Sequence, residues 1–524
     1  MTDTDNTDNT AYKAGAENGG ARYIYIDITD TYLNGLNTGI QRVVRNIAKR
    51  TDIIEKTTGM KVLPVIVKND KLIKAERAVF KNYQNKIKRI YLKSENLINL
   101  YLSKYKHKFK NKNKIKRKNS AAAGTGTGAG AGENIVNPSA CRRIRHLLKK
   151  IFIYSAYLSL RLKGTTGEEI VPKEGDILFF PDVFWTPFYD INEVVNKYRA
   201  SKVRIVPLIH DIIPVMFKDY CDADFASLFR SKLDGLLESA DMVITVSKSE
   251  KNNIESYIRS AAESRTGKAA KAMDVKTDGS SEAVCAGKAA ETDIADAAGL
   301  TGLPVDYFYP GFDHLANNYN KKNKNAKRHA RSYFEKFSDK SRNTFIIVGT
   351  IIPAKNHIFV VNAFERLWRE GLDASLAVVG KADKAPPEIL SKIKDSIFFN
   401  KNLFFFDDAA DEELDLLYRN SNVLIIASVA EGFGLPLIEG LSRNLKIIAS
   451  DIPVFKEIAC AAGEKKDLVC YFKVDDEDAF INAVKNVAAA MYNIDINNKD
   501  NEDDKERWIT WDMSVEMLSK KLIV

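Results

Sequence analysis

Short runs dense in Ile, Val, Leu and Phe recur along this chain, separated in many places by stretches of helical period. That alternation is its strongest constraint on fold. Tyr23–Ile28, Val62–Val67, Ile177–Phe180, Val203–Ile209 and Met242–Val246 form one set of runs. Phe345–Gly349, Leu376–Gly380, Leu403–Phe406, Val423–Ala427, Lys446–Ala449 and Val469–Phe472 form a second. Runs this short and predominantly apolar read as buried strands. Among the intervening stretches, Ile40, Val43, Val44 and Ile47 fall at i, i+3, i+4 and i+7, one face of a helix. Strands alternating with helices imply parallel sheets covered on both sides. The fold class is therefore α/β, with two doubly wound, Rossmann-like domains.

At 524 residues the chain is long enough for two or three domains, and its 45% apolar content suffices for their cores. The polar, basic stretch Asn317–Asp339 divides the two sets of runs. We therefore expect a polar, acidic, disordered N-terminus over 1–20, a first domain over 21–316 and a second over 317–500. A terminal helical segment follows over 501–524. Two low-complexity insertions fall in the first domain, near 104–140 and 261–299. Asn119–Glu133 is Ala, Gly and Thr, and Ala261–Gly299 is rich in Ala, Gly, Lys, Asp and Ser. Neither can bury much apolar surface, and both read as disordered or loose loops. The alternating glycines Gly124 to Gly132 follow no strand and open no periodic helix, so they read as linker rather than phosphate loop.

The five cysteines are odd in number and lack C-x-x-C spacing, which argues against a disulfide framework or zinc site and suits a reducing cytosol. Met1–Gly20 lacks the apolar core of a secretory leader. No stretch approaches the ~20 uninterrupted apolar residues of a membrane-spanning helix. The formal charge is +10, and Lys104–Lys118 carries Lys or Arg at nine positions with no acid. Arg142–Lys163 mixes basic and apolar residues. It reads either as a core helix with a solvated basic face or as an attachment to an anionic membrane through Leu147, Leu148, Ile151 and Phe152.

The chemistry concentrates after the run Val423–Ala427. The loop Ser428-Val-Ala-Glu431-Gly432-Phe433-Gly434 follows, and Pro436 suits the first turn of a helix. Glycines at such a turn stand outside the carboxyl end of a parallel strand, where open α/β sheets bind ligands. Amides at a helix start favour an anion such as a diphosphate. Glu431 in the loop can accept from sugar hydroxyls, and Glu439, one turn into the helix, can reach a ribose.

The segment Glu431-Gly-Phe-Gly-Leu435-Pro-Leu-Ile-Glu439, with Asp411–Tyr418 and Asn422–Ser428 before it and Lys446–Pro453 after it, resembles the signature of retaining glycosyltransferase family four, the glycosyl transferases group 1. The resemblance implies a GT-B fold, two Rossmann-like domains facing a cleft, and extends over most of the non-inserted chain. Val348-Gly-Thr350 with Pro353-Ala-Lys355-Asn356 is similar to the loop where the family sets a lysine, usually with an arginine, on the donor diphosphate. Lys355 matches the lysine. Thr350 and Ala354 stand where members carry the arginine, so that cation is missing. Asn37-Thr-Gly39-Ile-Gln-Arg resembles the family's glycine-containing first loop, beside donor phosphates and acceptor. Val206-Pro-Leu-Ile-His210-Asp211-Ile-Ile-Pro214 resembles its His-Asp-x-x-Pro segment, with His210 near the transferred sugar. Ala240–Ser247 resembles the strand before the interdomain passage, and Trp508 with Trp511 the helix that crosses back.

The resemblance implies transfer of a sugar from a nucleoside diphosphate sugar with retention, Glu431, His210 and Lys355 being catalytic. Gly39, Thr350, Lys355, Gly432, Phe433, Gly434, Leu435 and Glu439 would bind the donor. It requires no cofactor beyond the sugar nucleotide and no obligatory metal. Asp222-Ala-Asp224 imitates a metal-binding D-x-D by coincidence. The acceptor expected is a saccharide or lipid-linked saccharide in surface polysaccharide (O-antigen or capsule) assembly, with a lean toward GDP-mannose. The expected location is cytoplasmic, peripheral to the inner membrane face, with no nucleic acid as partner. A sugar-nucleotide epimerase on the same fold, a glycoside hydrolase and a non-enzymatic basic scaffold for membrane or RNA are the rivals. The hydrolase is disfavoured because its paired carboxylates must flank a scissile bond.

Overall fold

The computed structural model describes residues 21–34, 38–75, 168–274, 302–312, 334–337, 343–382, 385–407, 409–491 and 508–524. They fall into two compact units, one of Met1–Ile28, Asn37–Leu63 and Pro172–Val524, the other of Thr29–Leu36 and Pro64–Val171. Lys104–Lys118, Arg142–Lys163, the expected boundary near 317 and most of both insertions lie outside the described residues.

The chain opens with β1 (Tyr23–Asp27). Then come β2 (Lys61–Lys68), β3 (Lys71–Lys74) and β4 (Glu169–Ile170). In the smaller unit β2 and β3 pair antiparallel, Val65 opposite Lys74, and β3 pairs with β4, Leu72 opposite Ile170. Asn69 and Asp70, both at positive φ, make the two-residue connection between β2 and β3. Such a turn matches the twist of a hairpin. The strand reading missed β3 and β4, which are short and half polar.

In the larger unit, β1 pairs parallel with β5 (Ile177–Phe180), β5 with β6 (Arg204–Ile209), β6 with β7 (Val243–Thr245) and β7 with β8 (Val305–Tyr307). Every residue of β5 is buried, as a strand covered on both faces requires. The helix that follows β7 runs over Lys248–Asp274 and so takes in the start of the stretch expected to be loose. That expectation is corrected there: Ala261–Asp274 is rich in Ala, Lys, Arg and Glu, which all favour helix, and Ala262 is buried.

The second sheet contains β9 (Asn343–Val348), β10 (Ala374–Val379), β11 (Leu403–Phe406), β12 (Val423–Ile426), β13 (Lys446–Ser450) and β14 (Val469–Phe472). Its order is β11-β10-β9-β12-β13-β14, with all pairs parallel. From β9 the chain winds outward to β11, then returns to β12 on the other side of β9. This reversal leaves a crevice outside the carboxyl ends of β9 and β12. Phe345, Phe364, Leu376, Phe405, Val423 and Phe480 fill the core between this sheet and its helices.

The terminal helix Trp511–Leu522 packs on the larger unit's first sheet and helices. Ser514 donates to the Tyr309 carbonyl at 2.7 Å, Lys521 pairs with Asp306 at 2.5 Å and Arg50 with Asp512 at 2.6 Å.

Candidate active site

The loops after β9 and β12 leave the sheet at the crevice. The first carries Pro353–Lys355 as a single 3₁₀ turn, closed by Asn356 at φ 58°. The second carries Ser428–Gly434 into the helix Leu435–Leu441. Lys355 Nζ and Glu431 Oε1 form a short ion pair, their side chains 21% and 12% exposed. Ser428 Oγ donates to the same Oε1 at 2.8 Å, so both contacts fall on one oxygen of the carboxylate. Thr350 sits half-buried just past β9.

The turn after β6 stands against this loop. A Cβ on Gly432 would lie 1.8 Å from the His210 carbonyl oxygen and 3.2 Å from the Asp211 Cβ. Gly432 was expected to let the backbone approach a ligand. What it permits here is the approach of two loops from different sheets. Gly434 has φ +90° and sits under Phe455, so both its conformation and its surroundings demand glycine. Gly39 faces the Leu435 side chain, a Cβ there meeting Leu435 Cδ1 at 3.6 Å, which brings the first loop to the start of the signature helix.

His210 is buried, and its Nε2 lies 2.8 Å from the Pro181 carbonyl oxygen. A carbonyl only accepts, so Nε2 carries the proton. Burial pulls the imidazole pKa down to about 4, keeping the ring neutral. Asp211 accepts from the Ile213 amide at 3.2 Å. Burial chiefly, with Glu431 adding to it, pushes the Asp211 carboxyl up to about 6 against the opposing Ile213 amide and Lys355. Glu250, in the first turn of the helix after β7, is 2% exposed, with Asn253 donating to its Oε2 at 3.0 Å and no hydrogen-bond partner on Oε1. Burial, then Asp211, lifts it to about 8.

The structure separates the predicted site residues. Glu431, Lys355, His210 and Gly432 come together, with Gly434 in the same loop. The Phe433 ring is buried between Tyr309 and Trp508, at centroid distances of 6.3 and 5.9 Å, which is packing rather than an open face for a donor. Glu439 was expected to meet a ribose. Its Oε1 pairs with Arg42 at 2.7 Å and its Oε2 accepts from the buried Tyr418 hydroxyl at 2.7 Å. Asp222 of the D-x-D caps the helix Ala223–Ser239, accepting from the Phe225 amide at 3.1 Å.

Arg42, Asp211, Glu250 and Ser428 had no assigned role in the sequence reading. Arg42, Asp211 and Ser428 lay inside quoted motifs, where their neighbours drew the assignment. Arg42 is one turn past Gly39 on the helix Gly39–Ala48. It brings a guanidinium to the signature helix from the first sheet's side.

Two α/β sheets, the second with charged loops at its strand-order reversal, have the GT-B fold. Residues 330–489 match the family "Glycosyl transferases group 1". This chain carries in that stretch the second sheet, with Lys355 and Glu431. It is 30% identical over 368 residues to a serotype-specific mannosyltransferase of Escherichia coli, covering 70% of this chain and 39% of that protein. It is 32% identical over 146 residues to an O-antigen chain mannosyltransferase of Salmonella typhimurium, covering 28% of this chain and 38% of the relative. The chain thus spans about two-fifths of the length of these curated relatives. A solved sucrose-phosphate synthase of Thermosynechococcus elongatus is 14% identical, with 66% of this chain and 68% of that chain covered at a TM-score of 0.38.

Proposed function

We propose that this enzyme moves a mannosyl group from a nucleoside diphosphate sugar, GDP-mannose, to a saccharide or lipid-linked saccharide during surface polysaccharide assembly, with retention at the anomeric carbon. The observation that carries the reading is the Lys355–Glu431 pair at the crevice of the second sheet, faced by His210 and Asp211. The mannosyltransferase relatives support the sugar.

In this reading Lys355 meets the diphosphate, where negative charge grows as the glycosidic bond breaks. Glu431 keeps Oε1 on Lys355 and Ser428 and offers Oε2 to sugar hydroxyls. Neutral His210 orients the sugar from the opposite loop. The leaving phosphate oxygen takes the acceptor proton on the same face, so no enzyme nucleophile forms a bond. Glu431 and Glu439 do not act as a hydrolase pair, since Arg42 and Tyr418 hold Glu439.

The reaction proceeds without an obligatory metal. It takes place in the cytoplasm at the inner membrane face, with anionic lipid as a peripheral partner. Among the described residues no helix is long and apolar enough to cross a membrane. Thermal-shift screening against a panel of sugar nucleotides tests the donor, since a ligand at 100 times its Kd adds about 2.7 kcal/mol. A larger shift with a UDP-sugar than with GDP-mannose overturns the donor assignment. Loss of turnover in EDTA, restored by manganese, overturns the metal-free reaction.

A further inference from the structure

The first turn of the helix Lys248–Asp274 follows β7 of the first sheet, yet the second sheet's loops and helices hold it. Ser247, fully buried, donates from Oγ to the Gly432 carbonyl at 2.6 Å. The same oxygen accepts from the Glu250 amide at 3.0 Å, so Ser247 caps its own helix while gripping the signature loop. Glu457, on the helix Pro453–Ala461, accepts from the amides of Lys248 and Ser249 at 2.7 Å each, and from the Ser249 hydroxyl.

A helix start leaves amides without intrahelical partners, and a carboxylate there also meets the positive end of the helix dipole. Such caps come from the residue just before the helix in most proteins. Here the carboxylate arrives from 208 residues away, out of the other sheet's helical layer. Its contacts and the Ser247–Gly432 bond all run from the first sheet's side to the second's, so separating the two would break them together.

We propose that Ser247 and Glu457 are positioning residues of the transfer reaction, a clasp that sets the Glu431 loop against the His210–Asp211 turn. Gly432 is the link. Its carbonyl is fixed by Ser247 and its α-carbon rests on the His210 carbonyl, which leaves Glu431, its chain neighbour, little freedom. Closing the clasp assembles the site and opening it releases Glu431, as in enzymes whose turnover is gated by closure. The inference rests on the reading of Glu431 as a donor-site residue.

The test is Glu457→Gln, with Ser247→Ala beside it. Gln places an N–H where a second acceptor oxygen is needed, and the half-buried position tolerates the swap without harm to a core. Amide exchange at Lys248 and Ser249, and in Ser247→Ala at Glu250, should speed about tenfold or more while β9 and β12 keep their protection. Turnover of GDP-mannose should fall about tenfold or more, with KM moving less than about threefold. A merely structural role would raise exchange across both sheets. Unchanged local exchange, or unchanged kcat in both variants, overturns the clasp. If the wild-type protein leaves GDP-mannose untouched, the functional reading fails. The clasp is then decided by exchange at the Lys248, Ser249 and Glu250 amides alone.

Discussion

Lys355 and Glu431 stand 76 residues apart in the chain and meet as an ion pair because the strands before them, β9 and β12, are neighbours at the point where strand order reverses. They pair in a partly buried crevice, their side chains 21% and 12% exposed, where water screens little. Glu431→Gln keeps the shape and removes the charge. Turnover should fall about tenfold to a thousandfold, or ~1.4–4 kcal/mol of transition-state stabilisation, with the fold kept. Unchanged kcat/KM would remove Glu431 from the reaction. Lys355→Ala should weaken a nucleoside diphosphate more than the nucleoside, measured by calorimetry, and equal losses would move the lysine off the diphosphate.

Glu250 makes stability depend on pH in a definite direction. Its carboxyl is raised from the ordinary 4.5 to about 8, first by burial and then by Asp211. The folded state therefore holds the proton more tightly than the unfolded state. Stability is fullest below the unfolded value and declines as pH rises toward about 8. Asp211 acts the same way over a lower window, ending at about 6. His210 runs opposite: lowered from 6.5 to about 4 by burial, it costs stability as pH falls below 6.5. Glu250→Gln removes one contribution only. Denaturant midpoints of the wild type should fall from pH 6 to 8.5 relative to the variant, at up to about 1.4 kcal/mol per pH unit below the folded pKa. Parallel curves would show that Glu250 is ionised throughout.

The sequence made the sheets legible because buried parallel strands are continuous apolar runs; β5, β11 and β14 occupy the residues expected of them. It hid β3, β4 and β8, which are short and carry polar residues, so periodicity says little. At the site the strand–loop–helix pattern pointed to Glu431, and the family resemblance pointed to Lys355. Partnership was not legible. Whether Glu439 faces a ligand or a protein cation depends on where Arg42 arrives, and that is set by packing of the helix Gly39–Ala48. The same holds for Gly432, whose need for a missing side chain comes from His210, far along the chain.

Arg42 should matter to stability as well as to the site. Glu439 is 5% exposed at its side chain and balanced by Arg42, itself 37% exposed, with Tyr418 on the other oxygen. Arg42→Ala leaves a buried carboxylate with one neutral donor. Breaking a fully buried pair costs 3–5 kcal/mol and a surface pair under 1, so this half-open pair should lose about 2 kcal/mol. Adding Glu439→Gln should recover part of that loss, because the uncompensated charge is gone. A double variant whose loss equals or exceeds the sum of the two single losses would refute the coupling, read from chemical denaturation.

Gly432→Ala is the most local change that should disable the enzyme. The added methyl would sit 1.8 Å from a backbone oxygen, and neither the His210 carbonyl nor the Gly432 backbone is a flexible side-chain end. One of the two loops must move. Overpacking of this kind costs about 1–3 kcal/mol, which a chain with two large sheets should survive folded. Activity is less forgiving. A displacement of about 1 Å in a positioned group costs roughly a hundredfold in rate, and Glu431 is the adjacent residue. Turnover should therefore drop by about two orders of magnitude while circular dichroism and cooperative unfolding persist. The Ser247–Gly432 bond shares the moved peptide, so exchange at the Glu250 amide should rise too. Full activity in the folded variant would mean that the contact between the two loops is not the working arrangement of the site.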